Sequence, residues 1–173
     1  MSFRTAISAI LLAFGSFEPA MAQTPIEQTL IKQWGESFFL YRDEKGCALY
    51  IDYPDRRMLR IASRPAENMV YVNLVSPSWT DLKSQVGKKA QLALFFKRGS
   101  MRIGQVALGQ VIGNDEDGRY GYGGSQLGQH ILIDMAHEGT MEVEPTIDGK
   151  QLPILTFDLT GAAPAISELE HCS

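Results

Sequence analysis

The sequence predicts an α+β domain of mainly antiparallel strands, its sheet folded as a small sandwich or a partly open barrel with two or three short helices. Three observations lead there. Apolar residues recur at every second position in successive runs between Phe38 and Leu108, the period of a half-buried strand. The breaks between those runs fall at Asp43 to Gly46, Pro54-Asp55, Pro65, Pro77 and Lys97 to Ser100, and connections this short favour hairpins over helical crossovers. A helical period replaces the strand period only near 25–34, 126–137 and 162–171.

Taken in order, the chain opens with Arg4, an apolar stretch over 6–14, and Ala20-Met21-Ala22 before Gln23. A basic start, an apolar core and a small-x-small cleavage site together make a secretory signal peptide. The apolar stretch is about half of the roughly 20 residues a membrane-spanning helix needs, and Gln23 stands where a lipoprotein would carry cysteine. The expected organisation is a signal peptide at 1–22 and one disulfide-closed, β-rich domain at 23–173. Thr24-Pro25-Ile26-Glu27 matches a capping box, and Ile26, Leu30 and Trp34 repeat at helical spacing, so a short helix is expected over 25–34. Strands follow around Phe38 and Leu40; Leu49, Ile51 and Tyr53; Leu59 and Ile61 about Arg60; Val70, Val72 and Leu74; and Leu92, Leu94 and Phe96.

Pro77-Ser78-Trp79 reads as a turn whose Trp79 covers one end of the core. Met101, Ile103, Val106 and Leu108 form a further strand, with a bulge expected at Gly104 where the alternation slips. The segment 114–125 reads as a polar, glycine-rich loop. A helix is expected over 126–137, because Leu127, Ile131, Leu132 and Met135 fall on one side at 100 degrees per residue, with His130, Asp134, His137 and Glu138 on the other. Asp148-Gly149, between Met141, Val143 and Ile147 on one side and Leu155, Phe157 and Leu159 on the other, is the dipeptide favoured in a type I′ hairpin. A closing helix near 162–171 then brings Cys172 back to the sheet.

Export gives the two cysteines, Cys47 and Cys172, an oxidising compartment and only one pairing, so a structural disulfide is expected. Their separation excludes a C-x-x-C redox pair. Chain-entropy arguments make so long a closed loop worth about 4.7 kcal/mol, against a total of roughly 5–15 kcal/mol for a typical domain.

These landmarks resemble a group of small exported alphaproteobacterial proteins, some of them invasion-associated locus B-like. The resemblance rests on Cys47 in an early strand, the Pro77-Ser78-Trp79 turn, and the closing block from Phe157-Asp158-Leu159-Thr160-Gly161 through Ala165 and Leu169 to Cys172. It implies an exported domain closed by a disulfide and supplies no catalytic residues to carry over.

The search for chemistry returns incomplete motifs. Gly123-Gly124-Ser125-Gln126-Leu127 lacks the second glycine of a nucleophile elbow. Gly87-Lys88-Lys89 lacks the earlier glycine and the hydroxyl residue of a phosphate-binding loop. Asp115 and Asp117 before Gly118 have Gly113 and Gly124 where a calcium loop needs its first and last carboxylates. His130, Asp134 and His137 share one helix side, which is simply the polar one. No metal and no cofactor is expected.

With 16 basic and 20 acidic residues, a net charge of -4 and 45% hydrophobic residues, the 173-residue chain lacks the basic excess that binding to a phosphate backbone requires. The charge is segregated along the chain: residues 23–54, 55–102 and 103–173 carry net charges of -2, +7 and -9. Arg56, Arg57, Arg60, Arg64, Lys88, Lys89, Lys97, Arg98 and Arg102 form a basic patch if the middle strands share a face, and pair harmlessly if neighbouring strands interleave the two halves. Arg119, Tyr120 and Tyr122 combine residue types enriched at recognition surfaces with flexible glycines. The expectation is a periplasmic or secreted binding protein without catalytic activity, masking or supporting another envelope protein as an immunity or inhibitor protein does. Its contact residues are expected at Arg119, Tyr120, Tyr122, Arg56 and Arg60. The competing expectation is an envelope hydrolase with a site assembled around His130, Asp134 and His137.

Overall fold

The computed structural model describes residues 28–98, 101–115, 117–137 and 139–172. The expected signal peptide at 1–22, the expected mature start at Gln23 and the capping box at 24–27 lie outside them. The architecture is α+β and mainly antiparallel. Strands β1 (Thr29–Trp34), β2 (Phe38–Asp43), β3 (Gly46–Asp52), β4 (Met58–Arg64) and β5 (Met69–Ser76) form a meander. A 3-10 turn, Thr80–Gln85, leads to β6 (Lys89–Arg98), β7 (Met101–Asn114) and β8 (Arg119–Gly128). Helix α1 (Ile131–His137), β9 (Thr140–Ile147), β10 (Lys150–Gln151), β11 (Leu155–Asp158) and helix α2 (Ala163–Glu170) complete the chain. The strand order is β1-β2-β3-β4-β5-β8-β7-β6-β9-β10, with β11 also on β9; every pair is antiparallel and the sheet does not close.

Turn chemistry sets the hairpins within this order. Asp43 accepts the Lys45 backbone N–H through Oδ1 at 2.9 Å, and Gly46 follows at φ 145°, where a Cβ would meet the Ser63 carbonyl oxygen. Asp148 and Gly149, at φ 52° and 76°, supply the two left-handed residues of a type I′ turn. Trp79 packs on the core beside Tyr122, with ring centroids 5.8 Å apart.

The inner face of the sheet carries the main core: Leu49 and Ile51 of β3, Leu59 and Ile61 of β4, Val72 and Leu74 of β5, Leu92, Leu94 and Phe96 of β6, Met141 and Val143 of β9. Both α-helices cover it. Ala165, Ile166 and Leu169 of α2 join this cluster with Ile131, Leu132 and Met135 of α1. Cys47 and Cys172 are joined, with Cα atoms 6.0 Å apart, so the end of α2 is tied to β3.

Four expectations change. Residues 29–34 are an edge strand instead of the second half of a helix, because pairing with β2 through a turn at Gly35 (φ 59°) captures backbone groups that a surface helix at this position would gain little by burying. Only 131–137 of the expected 126–137 helix is helical; Leu127 is buried as the end of β8, opposite Val70. The glycine-rich segment is strand from Arg119 onward, paired on both sides. Gly104 is not a bulge: it pairs in register with Phe95, whose ring occupies the space a side chain would need.

Candidate functional site

Strand pairing decides the fate of the expected contact residues. Tyr120 and Tyr122 alternate inward on β8 and are each 4% exposed within the main core. They therefore do not present anchors to a partner, and the Tyr120 hydroxyl is engaged with Asp115. Arg119 is half-buried at the start of the same strand. Arg56 stands exposed in the turn between β3 and β4 with φ 67°, and Arg60 is buried at 7% exposure on the sheet face opposite the helices.

Much of the expected basic patch is drawn into ion pairs, three of its residues with the acidic end of the chain. Lys97 and Arg102 meet Glu142, and Arg102 also meets Glu144; the hydrogen bond from Lys97 is the main reason the Glu142 carboxyl lies below its ordinary range. Lys88 pairs with Asp148, and Arg57 with Asp55. Arg64 is buried against Asp43 at 2.8 Å. The pairs of Lys97, Arg102 and Lys88 form because β9 lies beside β6, with β7 next to β6 on the other side, which brings the acidic end against the basic middle. On α1, the His137 ring is 2.7 Å from the Ile133 carbonyl of its own helix, and no group of three metal-ligating side chains occurs among the described residues.

The outer face of the sheet carries what the sequence did not announce. Ala48, Tyr50, Met58, Ala62, Val75 and Ile112 form a second buried cluster, with Phe39, Tyr41 and Tyr71 packed against it. No described helix contributes to it. All seven residues of β4 are buried, so that strand is enclosed on both faces. A sequence signal existed: β4 shows Met58, Ala62 and Arg60 interleaved with the inward Leu59 and Ile61, which is less polar than a solvated face requires.

Register places the outer residues in rows across the strands. One row runs Phe39, Tyr50, Arg60, Asn73, Gly123, Gln110. Beside it run Asp52, Met58, Val75, Gly121, Ile112 on one side and Tyr41, Ala48, Ala62, Tyr71 on the other. Arg60 Nε donates to Tyr50 Oη at 3.0 Å, with the guanidinium 5.6 Å from the ring centroid. The Tyr50 hydroxyl in turn donates to Gln28 Oε1 at 3.0 Å, and the Tyr41 ring stands edge-on to Tyr50. Asn73 is 8% exposed. It leans over Gly123, where a Cβ would lie 3.1 Å from Asn73 Oδ1 and from Ile112 Cγ2.

Charge in this region is unbalanced. No carboxylate among the described residues pairs with Arg60, whereas Arg64, four residues on, has Asp43. Asp52 lies in the neighbouring row; partial burial raises its carboxyl above the ordinary range, with Arg119 pulling the other way. Farther along β7, on the same face as Ile112, Val106 and Leu108 are 52% and 58% exposed. The outer face thus combines a nearly sealed polar centre with an open apolar extension. Neither a protein-family model, nor a curated protein, nor a solved structure matches the chain.

Proposed function

We propose that the protein is an exported interaction module of the cell envelope and that its contact surface is the outer face of the sheet. The observation that carries this reading is the second apolar cluster, which receives no residue from a described helix and shares its face of β7, beyond Gln110, with exposed Val106 and Leu108. Isolated exposed apolar residues are ordinary, but a neighbouring pair of them on the same face as half-buried aromatics and a buried cation supports a recognition face. Export is supported by Arg4, the apolar 6–14 stretch and Ala20-Met21-Ala22, and by the Cys47–Cys172 bridge, which belongs to an oxidising compartment. No helix among the described residues is long and apolar enough to cross a membrane.

The test is site-specific photocrosslinking of the exported protein in cells. A crosslinker at position 108 is expected to give a discrete adduct that Val106→Asp abolishes. The same group at Ile133, exposed on α1 away from this face, is expected to give none. Equal adducts at both positions, or none at either, overturns the reading.

A further inference from the structure

We propose that Tyr50, Arg60 and Asn73 form a carboxylate-recognition site, which takes an acidic side chain presented on an apolar polypeptide segment; this rests on the outer face being the contact surface. Arginine has five N–H donors in a planar fork, and here Nε alone is engaged, on Tyr50. The Asn73 side-chain amide, directly opposite Arg60 across β4 and β5, has no hydrogen-bond partner among the described residues. Both residues are more than nine-tenths buried. A buried cation without a counter-charge is costly, and an amide with unused donors beside it adds to that cost.

The same groups are not wholly sealed. No side-chain nitrogen or oxygen among the described residues is both sealed from solvent and without a partner. The unengaged guanidinium nitrogens and the Asn73 amide therefore each keep an opening to solvent. A carboxylate entering there receives the bidentate fork of Arg60, a donor from Asn73, and the Tyr50 hydroxyl once it releases Gln28. The Gln28 oxygen already occupies an acceptor position on Tyr50. It is a neutral acceptor on a side chain that precedes an exposed edge strand, so its displacement disturbs little.

The surroundings choose the ligand. Phe39, Tyr41 and Tyr71 border the polar centre and are only half-buried, so they offer apolar surface beside it, whereas Met58, Ala62 and Val75 on the neighbouring rows are already covered. A free inorganic anion gains nothing from such a border, whereas an acidic residue between apolar neighbours does. Charge-assisted hydrogen bonds in a desolvated setting are the strong ones, so charge is expected to decide affinity and the apolar flanks to decide context.

The experiment titrates the exported protein with acetyl-Ile-Glu-Leu-amide, acetyl-Ile-Gln-Leu-amide and octanoate, following the Arg60 Nε–H and Asn73 side-chain amide signals by NMR. The Glu peptide is expected to shift both signals saturably and to bind at least tenfold tighter than the Gln peptide. Arg60→Gln and Arg60→Lys are each expected to weaken it tenfold or more, since lysine lacks the fork. Tyr50→Phe keeps the ring, is the control should Arg60 variants unfold, and is expected to weaken it severalfold. Equal affinity for the Glu and Gln peptides overturns the carboxylate assignment. Octanoate binding as tightly as the Glu peptide makes the ligand a lipid-like acid and overturns the polypeptide. If Asp52→Asn alone frees the Arg60 signals and creates Glu-peptide binding absent before, Arg60 is internally paired and the site falls. Failure of the position-108 crosslink with intact Glu-peptide binding overturns the macromolecular reading while leaving the carboxylate chemistry standing.

Discussion

At the scale of single residues, the two outer-face arginines of β4 make a natural experiment. Arg64 is buried with Asp43, and removing one partner of such a pair leaves a buried charge uncompensated. Arg64→Met is accordingly expected to cost about 3–5 kcal/mol by urea denaturation; a loss well under 1 kcal/mol shows that Asp43 finds water instead. Asp52 gives a pH signature. Its folded carboxyl is held above the ordinary range, mainly by partial burial, so the native state binds the proton more tightly than the unfolded chain does. The penalty is therefore present at neutral pH and is lost as pH falls through the raised folded value and then the ordinary carboxylate range. Asp52→Asn should make the protein more stable than its parent at pH 7 and equal to it near pH 3, by a modest amount because the residue keeps contact with solvent. Matched denaturation curves at the two pH values check this, and an Asn variant less stable at neutral pH contradicts it. Neither environment is visible in the sequence, where Arg60, Arg64 and Asp52 are merely charges in strand-like runs.

At the scale of elements, α2 illustrates a helix whose existence the sequence carries and whose place it does not. Ala165, Ile166 and Leu169 form its apolar stripe, Pro164 fits its first turn, and Gly161 at φ 81° breaks the chain direction just before it. Its position over β2, β3 and β4 is fixed by packing and by Cys172. Cys172→Ala is expected to lower stability by about 2–5 kcal/mol, measured at equilibrium in denaturant without reductant. Unchanged stability would show that packing alone holds α2. β1 and β8 are the reverse cases. Ile26, Leu30 and Trp34 make a fair helical stripe, and the glycines of 119–128 make a poor strand, yet pairing to β2 in one case and to β5 and β7 in the other prevails. Gly121 shows why: a Cβ there would lie 1.7 Å from the Leu74 carbonyl oxygen, so glycine is what lets β8 approach β5 so closely.

At the scale of the whole molecule, the proposed export and the Cys47–Cys172 bridge each predict a measurable mark. Mass spectrometry of the exported chain is expected to find Gln23 first, and titration of unfolded, unreduced protein to find no free thiol; two thiols per chain would refute the bridge. Alternation, short breaks, Asp148-Gly149 and the lone pair of cysteines were enough to specify an antiparallel, disulfide-closed α+β domain, because those signals are local and each has few physical solutions. The sheet order was not local. The return of β8 to β5, and of β6 to β9, sets which residues become lateral neighbours, and that choice gave Lys88, Lys97 and Arg102 acidic partners and put Tyr120 and Tyr122 into the core. The same pairing put Tyr50, Arg60 and Asn73, from three separate strands, into one row. Periodicity assigned Arg60 to the face opposite Leu59 and Ile61, but only the assembled sheet decided that its surroundings are largely apolar and buried and that no carboxylate among the described residues meets its cation, because burial and charge compensation depend on which strands end up side by side.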